Sequence, residues 1–314
     1  MFTKLFGSWF GGNRELTLND LFKLTWNGYW SKTRFKRSKW ATEAKRIYLR
    51  NIKAEFGKVS LSEITSKKVR DWHQSFEETP YAGNRNLEVL SRMFRFAEEE
   101  ELRAINSNPC VLVKAFREKS RKRFATPEEI KVLGRILIRE SAAHPQAVGF
   151  IYTLMFSGSR PSAIERAEWS QLVRIEHEGQ RYGVLTFEGK STHQTGQDEV
   201  VIIPTRVLEI IDSLPKLSSR IFNCKMPVKL WNKIRIEAGC PDLRMRDFRR
   251  TFSTIGRAAG VTMDDLAGLM NHKSTQTTMS YALLQNESRV TASAAISARF
   301  DYLLSAELVT ETTV

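Results

Sequence analysis

Apolar side chains recur every three to four residues through the first third of the chain, in Leu18, Leu21 and Phe22, in Tyr48, Ile52 and Phe56, in Val69, Trp72 and Phe76, and in Leu87, Leu90 and Phe94. That spacing puts each group on one face of an α-helix and predicts about four helices joined by polar connections. The run NSNPC at 106–110 breaks the pattern, and the basic stretch after Val113 reads as a linker. At TPEEIKVLGRIL (126–137) a new helix opens, with Thr126 as N-cap, Pro127 at the first helical position and Glu129 closing a capping box.

Beyond that point the period changes. In VLTFEGKSTHQTGQDEVVIIP (184–204) two β-rich runs, Val184 to Phe187 and Glu199 to Ile203, flank a long polar turn and predict a hairpin with its loop exposed. Helices flank the hairpin. One includes AIERAEW (163–169); another is FRRTFSTIGRAAG (248–260), with Phe248, Phe252, Ile255 and Ala259 as its apolar stripe and Gly260 as its stop. In VTMDDLAGLM (261–270), Met263, Leu266, Ala267 and Met270 share a face, Thr262 caps the start with Asp265 three residues on, and Asn271 ends the helix. Ser274 or Thr275 could then cap a further helix running through Tyr281. The sequence divides into an extension (1–15), a helical domain (16–113), a basic linker (114–125), a mixed domain (126–288) and a tail (289–314), so the fold is mainly α with a small β-sheet. No internal repeat or low-complexity tract interrupts it.

Length agrees with this division, since 314 residues suit two domains that each bury a core. Charge separates them. Residues 1–125 hold 26 Lys and Arg against 14 Asp and Glu, so they carry +12 of the formal +14, while residues 126–314 hold 23 against 21. The excess gathers in SKTRFKRSKW (31–40), with Lys32, Arg34, Lys36, Arg37 and Lys39, and in KAFREKSRKRFA (114–125), with Lys119, Arg121, Lys122 and Arg123. Aromatic residues are interleaved in both, as on a surface built for a polyanion, with nucleic acid ahead of an acidic membrane or a plain solvated face. Three cysteines without a CxxC pair and five scattered histidines make neither a disulfide framework nor a zinc cluster, so no metal is expected and a reducing cytoplasm is. MFTKLFGSWFGG at the start is apolar only in patches, broken by Lys4, Gly7 and Gly11, and no later run approaches the roughly 18 apolar residues of a membrane span.

Four signals that are weak singly then fall in order. Arg160 stands in a glycine-containing turn within FSGSRPSAIERAEW; Lys190 begins the hairpin turn; RMRDFRRTF offers Arg246 and Arg249 three apart at a helix start; and MNHKSTQTTMSY carries His272 and Tyr281 nine apart. Read one at a time, these are solvated charges, a phosphate-gripping helix end, a surface histidine and a core tyrosine. Nine residues turn a helix through about 900°, so His272 and Tyr281 would face opposite ways on a straight helix and share a site only across a bend.

In this order and spacing the residues resemble the tyrosine recombinase family, the phage integrase type of DNA strand-exchange enzyme, from about residue 16 to Tyr281. The family pattern is an Arg in a T/S-G-x-R turn with a Trp nine positions later, a Lys in a β-hairpin, an H-x-x-R box, and an L-G-H box followed by Tyr at the ninth position. Here these are Arg160 with Trp169, Lys190, Arg246-x-x-Arg249, and LMNH with His272 and Tyr281. The resemblance implies a helical core-binding domain of the SAM-like type and an α+β catalytic domain that cleaves and rejoins DNA through a 3′-phosphotyrosyl bond. Tyr281 would be the nucleophile, Arg160 and Arg249 the clamp on the nonbridging oxygens, Lys190 the general acid and His272 a further hydrogen-bond donor to the phosphate. It implies no cofactor, duplex DNA as partner, a tetramer in synapsis and accessory directionality or DNA-bending proteins, working in the cytoplasm at the nucleoid. Since little precedes residue 16, a separate arm-binding domain is not expected.

Three residues depart from the pattern: Arg246 where histidine is usual, Ala163 where an acidic residue is common, and Asn271 where glycine is common. Arg246 can only donate, so it cannot serve as a base, and Ala163 removes a partner for a site arginine. These departures keep two alternatives open, a non-catalytic DNA-binding relative and a type IB-like relaxing topoisomerase. The tail places Ala292, Ile296, Phe300 and Leu303 at helical spacing, to be buried either on a neighbouring protomer or on its own domain.

Overall fold

The computed structural model describes residues 15–31, 39–188, 198–271 and 282–305, without the side chains of Lys39 and of 282–288. Lys32, Arg34, Lys36, Arg37, Lys190, His272 and Tyr281, and the side chain of Lys39, therefore lie outside the described residues. Two compact units divide the chain, Met1–Ser120 and Arg121–Val314.

In the first unit the helices are α1 (Leu18–Thr25), α2 (Lys39–Ile47), α3 (Lys53–Phe56), α4 (Ser66–Gln74) and α5 (Pro80–Glu99). α1 runs on into a π-turn at Trp26–Trp30, and a second π-turn, Tyr48–Ile52, joins α2 to α3, so each apolar group read from the sequence falls on one continuous helical stretch except for Phe76. Phe76 lies just beyond α4, edge-on to Trp72 with ring centres 5.4 Å apart. Leu18, Leu21, Tyr48, Ile52, Phe56, Leu90 and Phe94 form the core. Tyr48 is fixed within it by stacking on Phe22 at 3.8 Å and by donating to Asn19 Oδ1 at 2.6 Å, which satisfies the one polar atom that its burial would otherwise strand.

The second unit is built round a helix that is apolar on every side. α6 (Pro127–Ser141) opens with the capping box that Thr126 and Glu129 predict, and α7 (Pro145–Ser157) follows with Val148 to Ser157 buried throughout. A helix without a polar face must be covered on all sides. Its cover comes from α6, α11 (Phe248–Ala258), α13 (Ala282–Ser305), α9 (Thr205–Asp212) and a sheet. The remaining helices are the short α8 (Pro161–Ile164), α10 (Val228–Glu237) and α12 (Met263–Leu269). The helix expected over AIERAEW thus covers only Pro161–Ile164; Trp169 begins a separate 3-10 turn.

Strands β1 (Leu172–His177), β2 (Gln180–Phe187) and β3 (Glu199–Ile203) form an antiparallel sheet in the order β1-β2-β3. The predicted hairpin is β2 and β3, with Phe187 opposite Glu199 and Gly183 opposite Ile203. β1 is an addition to the sequence reading. Its exposed Val173 and its charged Arg174 and Glu176 leave no clear alternation to detect.

α13 belongs to this core. Val290, Ala292, Ile296, Phe300 and Leu303 are buried, and Phe300 stacks on Phe156 of α7 with ring centres 4.8 Å apart. Of the two burials the sequence left open, the apolar stripe of the tail as far as Ser305 takes the one on its own domain; residues 306–314 lie outside the described residues. Among the described residues no helix is long and apolar enough to cross a membrane. Truncation after Ser288 should abolish the cooperative unfolding of the second unit and leave the protein insoluble. Phe300→Ala should cost about 3 to 5 kcal/mol in denaturant unfolding, the usual loss for a buried aromatic.

Candidate active site

The turn that carries Arg160 is shaped by the end of α7. Gly158 terminates the helix in the left-handed region, φ +61°, where a Cβ would stand 2.6 Å from Phe252 Cδ1, so only glycine fits. Ser157 then donates from its hydroxyl to Ser159 Oγ at 2.9 Å, locking the bend. Pro161 keeps the preceding residue extended, and Arg160 accordingly has φ −73° and ψ 135°. Its guanidinium, 40% exposed, pairs through Nη1 with Glu199 Oε1 at 3.0 Å.

Arg249 arrives from the first turn of α11. Its Nη1 donates to Gly158 O at 2.9 Å, and its Nη2 donates to Met270 O beyond the end of α12. Residues 91 and 21 positions away in sequence are thereby tied to one side chain. Burial, and after it the nearby charge of Arg160, push the Arg249 guanidinium down to about 10, with Glu199 acting in the opposite sense. It still holds its proton through neutral pH. Two cations are thus held close enough to repel, an arrangement that favours an anion.

Arg246 lies in the 3-10 turn Met245–Asp247, exposed, its side chain making no hydrogen bond or ion pair among the described residues. Asp247, which looks like the N-cap of the following helix, has helical φ and ψ of −73° and −18° and makes no capping bond. Its carboxylate is buried and accepts instead from Arg244 N at 2.9 Å, from Arg121 Nη2 at 3.0 Å and from Arg250 Nη1 at 3.4 Å. Arg123, from the same basic linker, pairs with Glu129 and with Asp242 at 3.0 Å. Of the four linker cations read as DNA contacts, Arg121 and Arg123 thus hold carboxylates of their own unit, whereas Lys119 and Lys122 are exposed. Hydrogen bonding to Asp247 and to Glu129 raises the affinity of these two guanidinia, respectively, for their protons.

Two further residues adjoin these arginines, one read from the sequence only as the start of a strand and the other as a helix stop and a departure from the family pattern. Glu199 is buried at the first position of β3 and partners Arg160; the missing acid at Ala163 was the signal that another carboxylate was needed. Asn271 has φ +52°, the left-handed conformation expected of a helix stop, and its side chain reaches the backbone of Val200. No group of three His, Cys, Asp or Glu suited to a metal ion occurs among the described residues.

No family model and no curated protein matches the sequence. Solved structures do match. A λ integrase (residues 75–356) dimer bound to a COC′ core site aligns with TM-score 0.63 and 16% identity over 84% of this chain and 98% of that one. A λ integrase tetramer bound to a Holliday junction aligns with TM-score 0.63 and 14% identity, over 91% and 85%. The Tn1549 transposon integrase (82–397) in complex with circular intermediate DNA gives 0.59 and 13%, over 87% and 99%. The chain has the tyrosine recombinase fold. Within that recombinase fold both Arg160 and Arg249 are described, and Arg249 donates to Gly158 O, two residues before Arg160 in the same turn.

The Asp247 network makes a measurable claim. Asp247→Asn should lower the stability of the second unit by about 1 to 3 kcal/mol, since charged donors lose a charged acceptor. In a double-mutant cycle with Arg121→Ala the losses should fall short of additive, and strict additivity would show that the pair is uncoupled.

Proposed function

We propose that the protein is a site-specific DNA recombinase of the integrase type, cleaving and rejoining duplex DNA through a 3′-phosphotyrosyl intermediate. The observation that supports this reading best is the convergence of Arg160 and Arg249 at one glycine turn, beside the β3 end of the hairpin that carries Lys190 and at the end of the helix that leads into His272. A phosphodiester resists nucleophiles because its oxygens are negative, and two fixed guanidinia offset that charge as it grows in the transition state. The Tyr281 oxygen attacks phosphorus, the bond to the 5′ oxygen breaks, and Lys190 protonates that leaving oxygen. His272 donates to the phosphate. The bond energy is kept in the tyrosyl ester, so religation by the reverse steps requires no nucleotide cofactor.

Arg246, always charged, cannot take the phenolic proton, which passes to water or to the phosphate itself. We assign Arg246 as a third cation for the phosphate. The solved relatives include a dimer on a core site and a tetramer on a Holliday junction, which supports assembly of four protomers on paired sites; accessory directionality or bending proteins, and a place at the nucleoid, complete the reading. The basic segment 31–40 and the exposed Lys119 and Lys122 are assigned to the DNA backbone. Arg246 in place of histidine also suits a non-catalytic DNA-binding relative, and a relaxing topoisomerase would share the same cleavage chemistry.

Incubation with duplex DNA from the flank of the gene should yield a covalent adduct on a denaturing gel, lost in Tyr281→Phe with DNA affinity retained. An adduct undiminished by that change would overturn the nucleophile assignment, and the absence of any wild-type adduct on DNA that the protein binds would favour the non-catalytic relative. Junction products on paired sites, which a monomeric topoisomerase would not form, separate the remaining reading.

For Arg246 the substitutions are expected to rank. Arg246→Ala should slow single-turnover cleavage strongly, Arg246→Lys should recover part of it, and Arg246→His should remain active with a new pH dependence between about 6 and 8, where imidazole titrates. Full activity of Arg246→Ala would show that this position does no chemistry.

A further inference from the structure

β3 is an edge strand, and its first two residues hold both sides of the site. Glu199 pairs with Arg160, and Val200, next in the chain, is gripped through its backbone by Asn271. The Asn271 amide donates from Nδ2 to Val200 O at 2.8 Å and accepts from Val200 N at Oδ1, 3.2 Å. A carboxamide carries the donor and acceptor of a peptide group, so Asn271 closes the free edge of β3 as another strand would. Its neighbour Met270 accepts from Arg249, which also reaches Gly158, two residues before Arg160. The contacts form a closed circuit: Arg160, Glu199, Val200, Asn271, Met270, Arg249, Gly158 and back to Arg160.

Two demands meet at position 271. The backbone is left-handed, φ +52°, which admits Gly and Asn most readily, and the next residue in the chain is His272. Glycine would satisfy the backbone but not the strand edge. Aspartate would tolerate the backbone, yet its carboxylate would set a negative oxygen against Val200 O. Only asparagine meets both demands with a neutral side chain.

Resting on the recombinase reading, we infer that Asn271 is a positioning residue: its two bonds to Val200 fix the point from which the chain enters the His272 to Tyr281 segment, in register with the Arg160–Glu199 pair. It touches no reacting atom. Its role is to couple the phosphate-binding arginines and the segment bearing the nucleophile through one strand end.

The test is single-turnover adduct formation on nicked duplex DNA at saturating protein, with DNA affinity and thermal unfolding measured in parallel. Wild-type protein must first form the adduct; if it binds DNA without doing so, the recombinase reading fails, independently of Asn271. Given a wild-type adduct, Asn271→Gly should bind DNA within about twofold of wild type and unfold at nearly the same temperature, while its cleavage rate falls on the order of tenfold, the scale of two net hydrogen bonds. Asn271→Asp provides the reading that a merely structural role would not give. Once protonated, its carboxylic acid has the donor and acceptor of the amide, so its rate relative to wild type should rise as pH falls from about 7.5 to about 5, whereas the Asn271→Gly ratio stays flat. Arg249, through Met270 O, and the Arg160–Glu199 pair, beside Val200, are linked to the position and His272 follows it in sequence, and taking the ratio to wild type at each pH removes their own titration. Cleavage by Asn271→Gly at the wild-type rate, a loss of binding in proportion to the loss of cleavage, or a flat Asn271→Asp ratio would each overturn the inference. Should Asn271→Gly unfold, the Asn271→Asp ratio decides alone.

Discussion

A guanidinium drawn into the interior by two backbone carbonyls is the constraint on which the second unit's chemistry rests. Arg249 loses much of its hydration, and the oxygens of Gly158 and Met270 replace part of it. Each carbonyl sits at a helix end, where unpaired C=O groups are left over by the geometry of the helix and attract cations. The ends of α7 and α12 are thus joined by a charge that each of them favours. Arg160 stands near enough to repel that charge, and Glu199 offsets the repulsion. Were these arginines to receive a phosphate, as proposed, they would meet it already oriented, which is how an electrostatic site avoids reorganisation cost at the moment of reaction.

Helix ends were the most legible features because their signals are local. Thr126 with Glu129, Thr262 with Asp265, Gly260 at φ +84° and Asn271 at φ +52° all serve the ends that their residue types announce. The hairpin was legible from its two β-rich runs, whereas Arg160 and Arg249 stood out only through the family resemblance. What stayed hidden depends on partners distant in sequence. Asp247 has the composition of an N-cap, yet its carboxylate turns back to Arg244 N, three residues earlier, and to Arg121, 126 residues earlier, so no capping bond to α11 is made. Glu199 reads as an ordinary strand residue until Arg160, 39 positions away, is seen beside it. β1 escaped because Arg174 turns outward to Asp212, an exposed ion pair that carries no hydrophobic signature.

The edge of β3 shows how a small sheet serves a mostly helical domain. Three strands offer little area for a core, yet they supply a rigid row of backbone groups at a fixed spacing. A helix terminus is registered against that row through the backbone of Val200, and a loop arginine through the side chain of the neighbouring Glu199, a straightedge that helices, packed through side chains alone, would not provide.

The pairing of Arg121 and Arg123 with carboxylates of their own unit changes what the linker's charge means to a polyanion. A cation that faces a carboxylate displaces few condensed counterions when it meets a phosphate, because part of its field is already cancelled. Of these four residues, Lys119 and Lys122, which are exposed, would then set the counterions released, and Arg121 and Arg123 would add little. The steepness of a salt titration reports cations left uncancelled by the fold, and a formal charge read from composition overstates that number.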